Sequence, residues 1–307
     1  MKKRILPLLA ALALLAGCTG QTAPSGTPAP TPAPAVSSAP APTPAASGAP
    51  GDQGLVWGEN FGMEDIDVDS LPTQTAAAPD LWTERLSLVG AVPEADISLY
   101  LLNLARPGVL LRQGGEFSYF PLDRQFQDLP LLVWRDFDGD GGEELAVRYL
   151  MAQDPLSEKY GLDGDVLWPR FELHIYGRDG ASWSDASFGD AGDLRAALSS
   201  SLSYTWDDHE FTLSAGRVDT PGGRAWLTSV SGWLPDTDVA VEGPLIVGRQ
   251  IFFRFEDTGI KAVITLGLPA AMGGEATDLA TLTSTLEYRD GVLSLGADFQ
   301  LEAVGGV

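Results

Sequence analysis

From about Pro79 onward the chain is written mostly in short runs where apolar and polar side chains alternate, the period-two signature of strands with one buried face. Phe171-Glu172-Leu173-His174-Ile175-Tyr176 alternates in this way and then meets Arg178-Asp179-Gly180, a turn. Ile251-Phe252-Phe253-Arg254-Phe255 passes through Glu256-Asp257-Thr258-Gly259 into the apolar run 260–266, a second hairpin. Residues 282–288 and 292–295 flank Arg289-Asp290-Gly291, where Asp-Gly supplies the positive φ of a tight hairpin turn. Residues 202–206 and 211–213 predict a fourth hairpin. One helix stands out: Asp193 caps it, and Leu194, Ala197, Leu198, Ser201 and Leu202 share a face at helical spacing. A weaker helical pattern covers 81–88. The expected fold is therefore mainly β, antiparallel hairpins and sheet with one or two short helices. Hairpins recur, but no clean sequence repeat does.

Ahead of this domain, which the pattern places at 79–307, residues 51–78 carry Glu64, Asp65, Asp67 and Asp69 and read as a poorly ordered acidic lead-in with one strand near 55–57. Residues 19–50 are almost wholly Pro, Ala, Thr, Ser and Gly. Such a segment has too little apolar bulk to form a core and stays disordered. Its Ala-Pro and Thr-Pro units favour polyproline conformations of about 3.1 Å per residue, so it would span on the order of 90 Å.

The first residues change the picture again. Met1-Lys2-Lys3-Arg4 is followed by an apolar stretch over 5–16. That is the layout of a secretory signal peptide, and the stretch is shorter than the roughly 20 residues of a membrane-spanning helix. It ends in Leu15-Ala16-Gly17-Cys18, which resembles the lipobox of bacterial lipoprotein precursors. The resemblance implies cleavage after residue 17, acylation of Cys18, and a membrane anchor through that lipid. Two acyl chains, each methylene contributing about 0.8 kcal/mol, hold where one does not. The alternative is an ordinary signal peptide with an incidental cysteine, or an uncleaved anchor. The expected location is outside the cell membrane, or the periplasm or outer membrane of a cell with two membranes.

Cys18 is the only cysteine, so one mature molecule can form no internal disulfide and its folded part has no thiolate metal site or cysteine nucleophile. Without Lys2, Lys3 and Arg4, the 19 basic residues fall to 16 against 42 acidic ones, a net charge of −26. Nucleic acid and anionic lipid surfaces would be repelled. The charge suits solubility and cation binding, and a solvated acidic face accounts for it without any partner.

Candidate chemistry concentrates in Arg135-Asp136-Phe137-Asp138-Gly139-Asp140-Gly141-Gly142-Glu143-Glu144-Leu145. Asp136, Asp138 and Asp140 alternate, Gly141 permits a sharp reversal, and Glu144 comes at the ninth position. Carboxylates spaced by two converge on one side of a tight loop, which the Gly142 carbonyl and Glu144 can close. Calcium takes such an oxygen cage at roughly 2.3–2.6 Å, with extracellular-type affinity near 10⁻⁴–10⁻³ M. The alternative is an ordinary hairpin capped by side-chain to backbone bonds. It is not an EF-hand: the twelfth position is Val147, and the flanks 131–134 and 145–150 read as strands. The loop resembles the strand-loop-strand calcium loops of the FG-GAP and VCBS (integrin-like) families. That resemblance implies Asp136, Asp138, Asp140 and Glu144 as ligands, with Gly142 as carbonyl donor. It covers about fifteen residues, and a propeller would need many such units, so no propeller is implied.

The strand before this loop, Phe171-Glu172-Leu173-His174-Ile175 and the hairpin around Phe253-Arg254-Phe255 and Ile260-Lys261-Ala262-Val263 are also similar to a group of uncharacterised bacterial lipoproteins. Those share the order of lipobox, low-complexity tether and one Asp-rich loop, and bring no activity with them. Elsewhere the signals are weak. His174 reads as a packed or edge residue and His209 as a turn residue. Trp134 reads as core, while Trp57, Trp168, Trp206 and Trp233 lie near loops or strand ends, where packing is a better account than stacking on a sugar. No zinc cluster, Gly-x-Ser-x-Gly elbow or phosphate-cradling glycine loop occurs. The expected function is a calcium-stabilised surface module that binds an extracellular or envelope ligand. The alternatives are a carboxylate-based hydrolase acting on glycans, or a structural envelope protein.

Overall fold

The computed structural model describes residues 54–82, 84–151, 170–180, 182–188, 198, 201–207, 210–220, 223–233, 245–268 and 277–304. Cys18, the leader and the tether, Trp168 and His209 lie outside the described residues.

Among the described residues, sixteen strands form four antiparallel sheets, each built from consecutive strands. The first is β1 (Leu86–Val92), β2 (Ile97–Leu102), β3 (Gly108–Gln113) and β4 (Glu116–Pro121). The second is β5 (Leu131–Arg135), β6 (Glu144–Met151), β7 (Arg170–Asp179) and β8 (Ser182–Phe188). The third orders β9 (Leu202–Asp207), β10 (Glu210–Thr220) and β11 (Gly223–Trp233), with β10 central. The fourth runs β12 (Ile246–Glu256), β13 (Gly259–Leu268), β14 (Thr277–Arg289) and β15 (Val292–Leu295), with β16 (Gln300–Ala303) also paired to β14. No sheet closes into a barrel, and this is not a propeller. The four expected hairpins are all present: β7–β8, β9–β10, β12–β13 and β14–β15. In the last, Arg289 pairs with Val292 across Asp290 (φ 50°) and Gly291 (φ 75°), the two positive φ angles of a two-residue turn.

The second sheet is the middle layer. Along β6, Leu145, Val147, Tyr149 and Met151 point into one core, shared with Val89, Leu99 and Val109 of the first sheet. Ala146 points the other way, joining Leu173, Ile175, Phe253 and Leu282 in a core shared with the third and fourth sheets. Burial on both faces explains why β6 reads as a nearly continuous apolar run rather than an alternation. Its one charged interior residue, Arg148, donates from Nη1 to the Phe253 carbonyl at 2.9 Å and lies 5.1 Å from the Phe171 ring.

Two expectations are corrected, and a third is left mostly outside the described residues. Residues 81–88 are not helical: a 3-10 turn (Pro79–Leu81) precedes strand β1. Both faces of β1 are covered, Val89 inward and Leu88 outward, so adjacent apolar residues imitate helical spacing. The predicted helix over 193–202 falls mostly outside the described residues; Leu198 is helical and fully buried, but Leu202 opens β9. The lead-in is not a poorly ordered segment. From Gly54 it packs on the outer face of the first sheet, where Phe61 joins Leu88, Tyr100, Leu102 and Leu110 in a third core. Trp57 stacks on Tyr119 with centroids 4.5 Å apart, and Trp82 Nε1 donates to the Ala76 carbonyl at 3.0 Å. Four short 3-10 turns (Met63–Asp65, Val68–Ser70, Pro79–Leu81 and Pro93–Ala95) supply nearly all the helical content of the described residues.

Candidate functional site

The acidic loop connects β5 to β6, and the pairing of Arg135 with Glu144 closes its base. Between them the backbone folds on the loop's own carboxylates. Asp136 Oδ1 accepts the Gly139 N–H at 2.6 Å and Oδ2 the Gly141 N–H at 3.1 Å. Asp138 Oδ1 accepts from Asp140 N at 3.0 Å. Gly139 (φ 79°) and Gly141 (φ 91°) occupy the left-handed region that these reversals need. Phe137, between the acids, turns inward onto the core under the fourth sheet.

Asp136, Asp138 and Glu144 each offer a carboxylate oxygen within 4.8 Å of the others, a group that could hold a metal ion. Among the described residues it is the one such group. Asp140 stands apart, its Oδ1 accepting the Gly142 N–H at 2.6 Å. Gly142 enters the geometry through that N–H. Of the four carboxylates expected to hold the ion, the structure brings three together.

Glu144 is only 5% exposed, and its Oε2 accepts the Phe137 N–H at 2.8 Å. Burial pushes its carboxyl above the usual range; the Phe137 N–H opposes this, and the charges of Asp138, Asp136 and Asp140 reinforce it. No lysine or arginine among the described residues comes within ion-pair distance of the triad. The nearest in sequence, Arg135, instead donates to the Glu256 carbonyl at 2.6 Å and lies over the Phe137 ring. The donor set is oxygen only, partly buried and, among the described residues, without a counter-charge, which fits a hard divalent cation better than a soft one.

A neighbour that sequence reasoning missed is Tyr288 of β14. It is 7% exposed; burial raises its hydroxyl pKa, as do the charges of Glu144, Asp138 and Asp140, while a hydrogen bond with Ser184 opposes them. A Cβ at Gly177 on β7 would overlap that hydroxyl and lie 3.6 Å from Glu144 Cγ, so glycine leaves the room Tyr288 fills. No local pattern announces this contact, because β7 and β14 belong to different sheets.

Other expected positions resolve plainly. Trp134 is partly buried, with Nε1 donating to Glu143 Oε2 at 2.8 Å, while Trp233 is 61% exposed. His174 is buried and packed. A cleft of about 210 Å³ opens between the lead-in and β1, lined by Phe61, Ile66, Leu71 and Leu86 with Asp65 and Glu84 among its polar walls. No helix among the described residues is long and apolar enough to cross a membrane.

Fold and site together define a class: an antiparallel β protein whose central sheet carries an acid-rich hairpin loop able to hold a metal ion. Comparison with family models, with curated proteins and with solved structures finds no match to this chain.

Proposed function

We propose that this chain is an exported lipoprotein, anchored through lipid on Cys18, whose β domain is a non-enzymatic module for an extracellular or envelope ligand and is stabilised by one Ca²⁺ ion. The observation that carries the metal assignment is the meeting of three carboxylates, one of them the buried Glu144, with no basic side chain among the described residues within ion-pair distance of them. Two carboxylates about 4 Å apart repel by roughly 4 kcal/mol at an effective dielectric of 20, and a divalent ion between them reverses the sign. Calcium is favoured over magnesium because it accepts an irregular cage of six to eight oxygens, whereas magnesium demands a near-ideal octahedron. Asp140 and the Gly142 carbonyl are the next oxygens along the same loop, and water completes such shells readily.

The role assigned to the ion is structural. Its loop sits at the end of the middle layer, against Phe137 and beside Tyr288, so fixing the loop fixes a joint between sheets. Thermal melting of the purified protein in Ca²⁺ and then in chelator tests this. A raised midpoint that the chelator reverses, and that Asp138→Ala abolishes, supports the reading; an unchanged midpoint refutes it.

A further inference from the structure

A second group of ionisable side chains lies away from the acidic loop, at the border of the core between the first and second sheets, where the carboxylates of Asp185 and Glu172 are 22% and 16% exposed. His174 of β7 faces that core with 7% of its side chain exposed. Both carboxylate oxygens of Asp185, on β8, lie 3.0 Å from its Nδ1. Its other nitrogen, Nε2, faces Glu172 of its own strand, with Oε2 at 3.8 Å and no hydrogen-bond partner closer in. The ring meets Tyr149 of β6 edge-on at 5.1 Å and stacks with Tyr176 at 5.9 Å, and the two tyrosine hydroxyls are 3.0 Å apart. From the side of the first sheet, Phe126 and Phe120 pack on those tyrosines and bring no charge. Arg178, further along β7, is engaged by Glu116 and Gln113. The titratable groups around His174 among the described residues are thus Tyr149, Tyr176, Glu172 and Asp185.

A neutral imidazole carries one N–H and one bare lone pair. Here each ring nitrogen faces a carboxylate, so either neutral tautomer turns a lone pair toward a negative charge. Only the imidazolium presents a donor to both. We propose that His174 is a buried imidazolium clamped between Asp185 and Glu172, fastening edge strand β8 to β7 in a proton-dependent way. β8 is an edge strand whose sheet partner is β7, so this cross-strand charge contact acts where backbone pairing is one-sided.

Electrostatics agree with the geometry. Burial alone drives an imidazolium toward losing its proton, yet the hydrogen bond and charge of Asp185, with the charge of Glu172, outweigh burial and hold the group up at about 9, against an ordinary 6.5. A folded value above the unfolded one means that the contribution to stability is complete below the unfolded value. It is lost as pH rises through the folded one. The window therefore runs from 6.5 to about 9.

The test is an NMR titration of the His174 ring in the intact protein, with His209→Gln removing the second imidazole signal. A midpoint near 9 is expected, and one at or below 6.5 overturns the proposal. Asp185→Asn keeps the shape and removes one charge, and should lower the midpoint by roughly one unit or more; an unmoved midpoint also overturns it. Urea unfolding from about pH 6 to about pH 10 adds a second readout. The stability gap between the parent and His174→Gln should shrink across that range, whereas a constant gap points to packing alone and sinks the idea. Should the Gln variant fail to fold, the ring titration of the parent still decides.

Discussion

Glu144→Gln separates the energetics of the acidic loop with and without a cation, because its effect differs sharply between the two states. In the metal-free protein the substitution keeps the shape and an oxygen for the Phe137 N–H, and removes a buried charge beside Asp136 and Asp138. Relief of repulsion is nominally about 4 kcal/mol per pair at 4 Å. Asp136 is exposed and Asp138 partly so, and water screens the gain to about 1 kcal/mol. Against it, a charge-assisted hydrogen bond becomes a neutral one, at a cost of about 1 kcal/mol. The two nearly cancel, so in chelator the variant should melt close to the parent. In calcium they part. At about 10 mM Ca²⁺, an affinity near 10⁻⁴–10⁻³ M stabilises the parent by about 1.4–2.7 kcal/mol. For a domain of this size each kcal/mol moves the midpoint by roughly 2–4 °C, so calorimetry should show a rise of about 3–11 °C in the parent and none in the variant. A matched rise in both proteins, or none in the parent, refutes the reasoning, since the first says the ion binds elsewhere and the second that it does not bind.

Three further outcomes follow from other parts of the molecule. Burial opposes the charge of Asp298, but Lys261 at 2.6 Å and the hydroxyl and N–H of Thr285 hold its carboxyl down at about 2 from 3.8. That stabilisation is present above 3.8 and is lost as pH falls through about 2. With the side chain 44% exposed, solvent screening reduces its worth to about 1 kcal/mol, so Asp298→Asn should cost about that at neutral pH and nothing at the acid limit, read by urea unfolding at both. Gly177→Ala drives a methyl into the Tyr288 hydroxyl and should cost about 1–3 kcal/mol; Tyr288→Phe should restore most of it, and additive effects in the double mutant would show that the two do not meet. Cys18→Ser should move the protein from the membrane fraction to the soluble fraction and abolish labelling with radioactive palmitate; retention at the membrane would remove the lipid anchor from the proposal.

The hairpins were legible because their determinants are local. Asp290-Gly291 and the run around Glu256 to Gly259 carry both turn chemistry and flanking strands within a few residues. Layering was not legible. Phe61 follows Trp57 in an acidic stretch with no strand pattern of its own, and only the outer face of the first sheet gives it a place to be buried. The loop itself was half legible. Alternation of Asp136, Asp138 and Asp140 predicts one shared centre, but spacing does not say which carboxylate a backbone N–H will capture. The positive φ angles at Gly139 and Gly141 accompany a fold in which Gly142 N–H meets Asp140, and the residue that completes the group is Glu144, already paired on β6. For His174 the alternation correctly gave a strand residue, while its partner Asp185 comes from the neighbouring strand, a register that one strand's pattern does not contain.

Why the acids stand where they do follows from the layers. A middle sheet buried on both faces leaves its strand ends as the places where a polar loop can reach water, and the β5–β6 connection is such an end. Yet this loop is tied inward at several points. Phe137 joins the deeper core, Arg135 reaches the β12–β13 turn at Glu256, and Tyr288 of β14 fills the gap over Gly177 beside Glu144. A surface loop with those attachments cannot relax its crowded carboxylates by swinging into solvent without pulling on the fourth sheet. Repulsion within the triad is therefore transmitted to the packing between layers, and whatever neutralises it tightens that packing. For this reason a cation at Asp136, Asp138 and Glu144 should be read most clearly in the melting of the whole domain rather than in the loop alone.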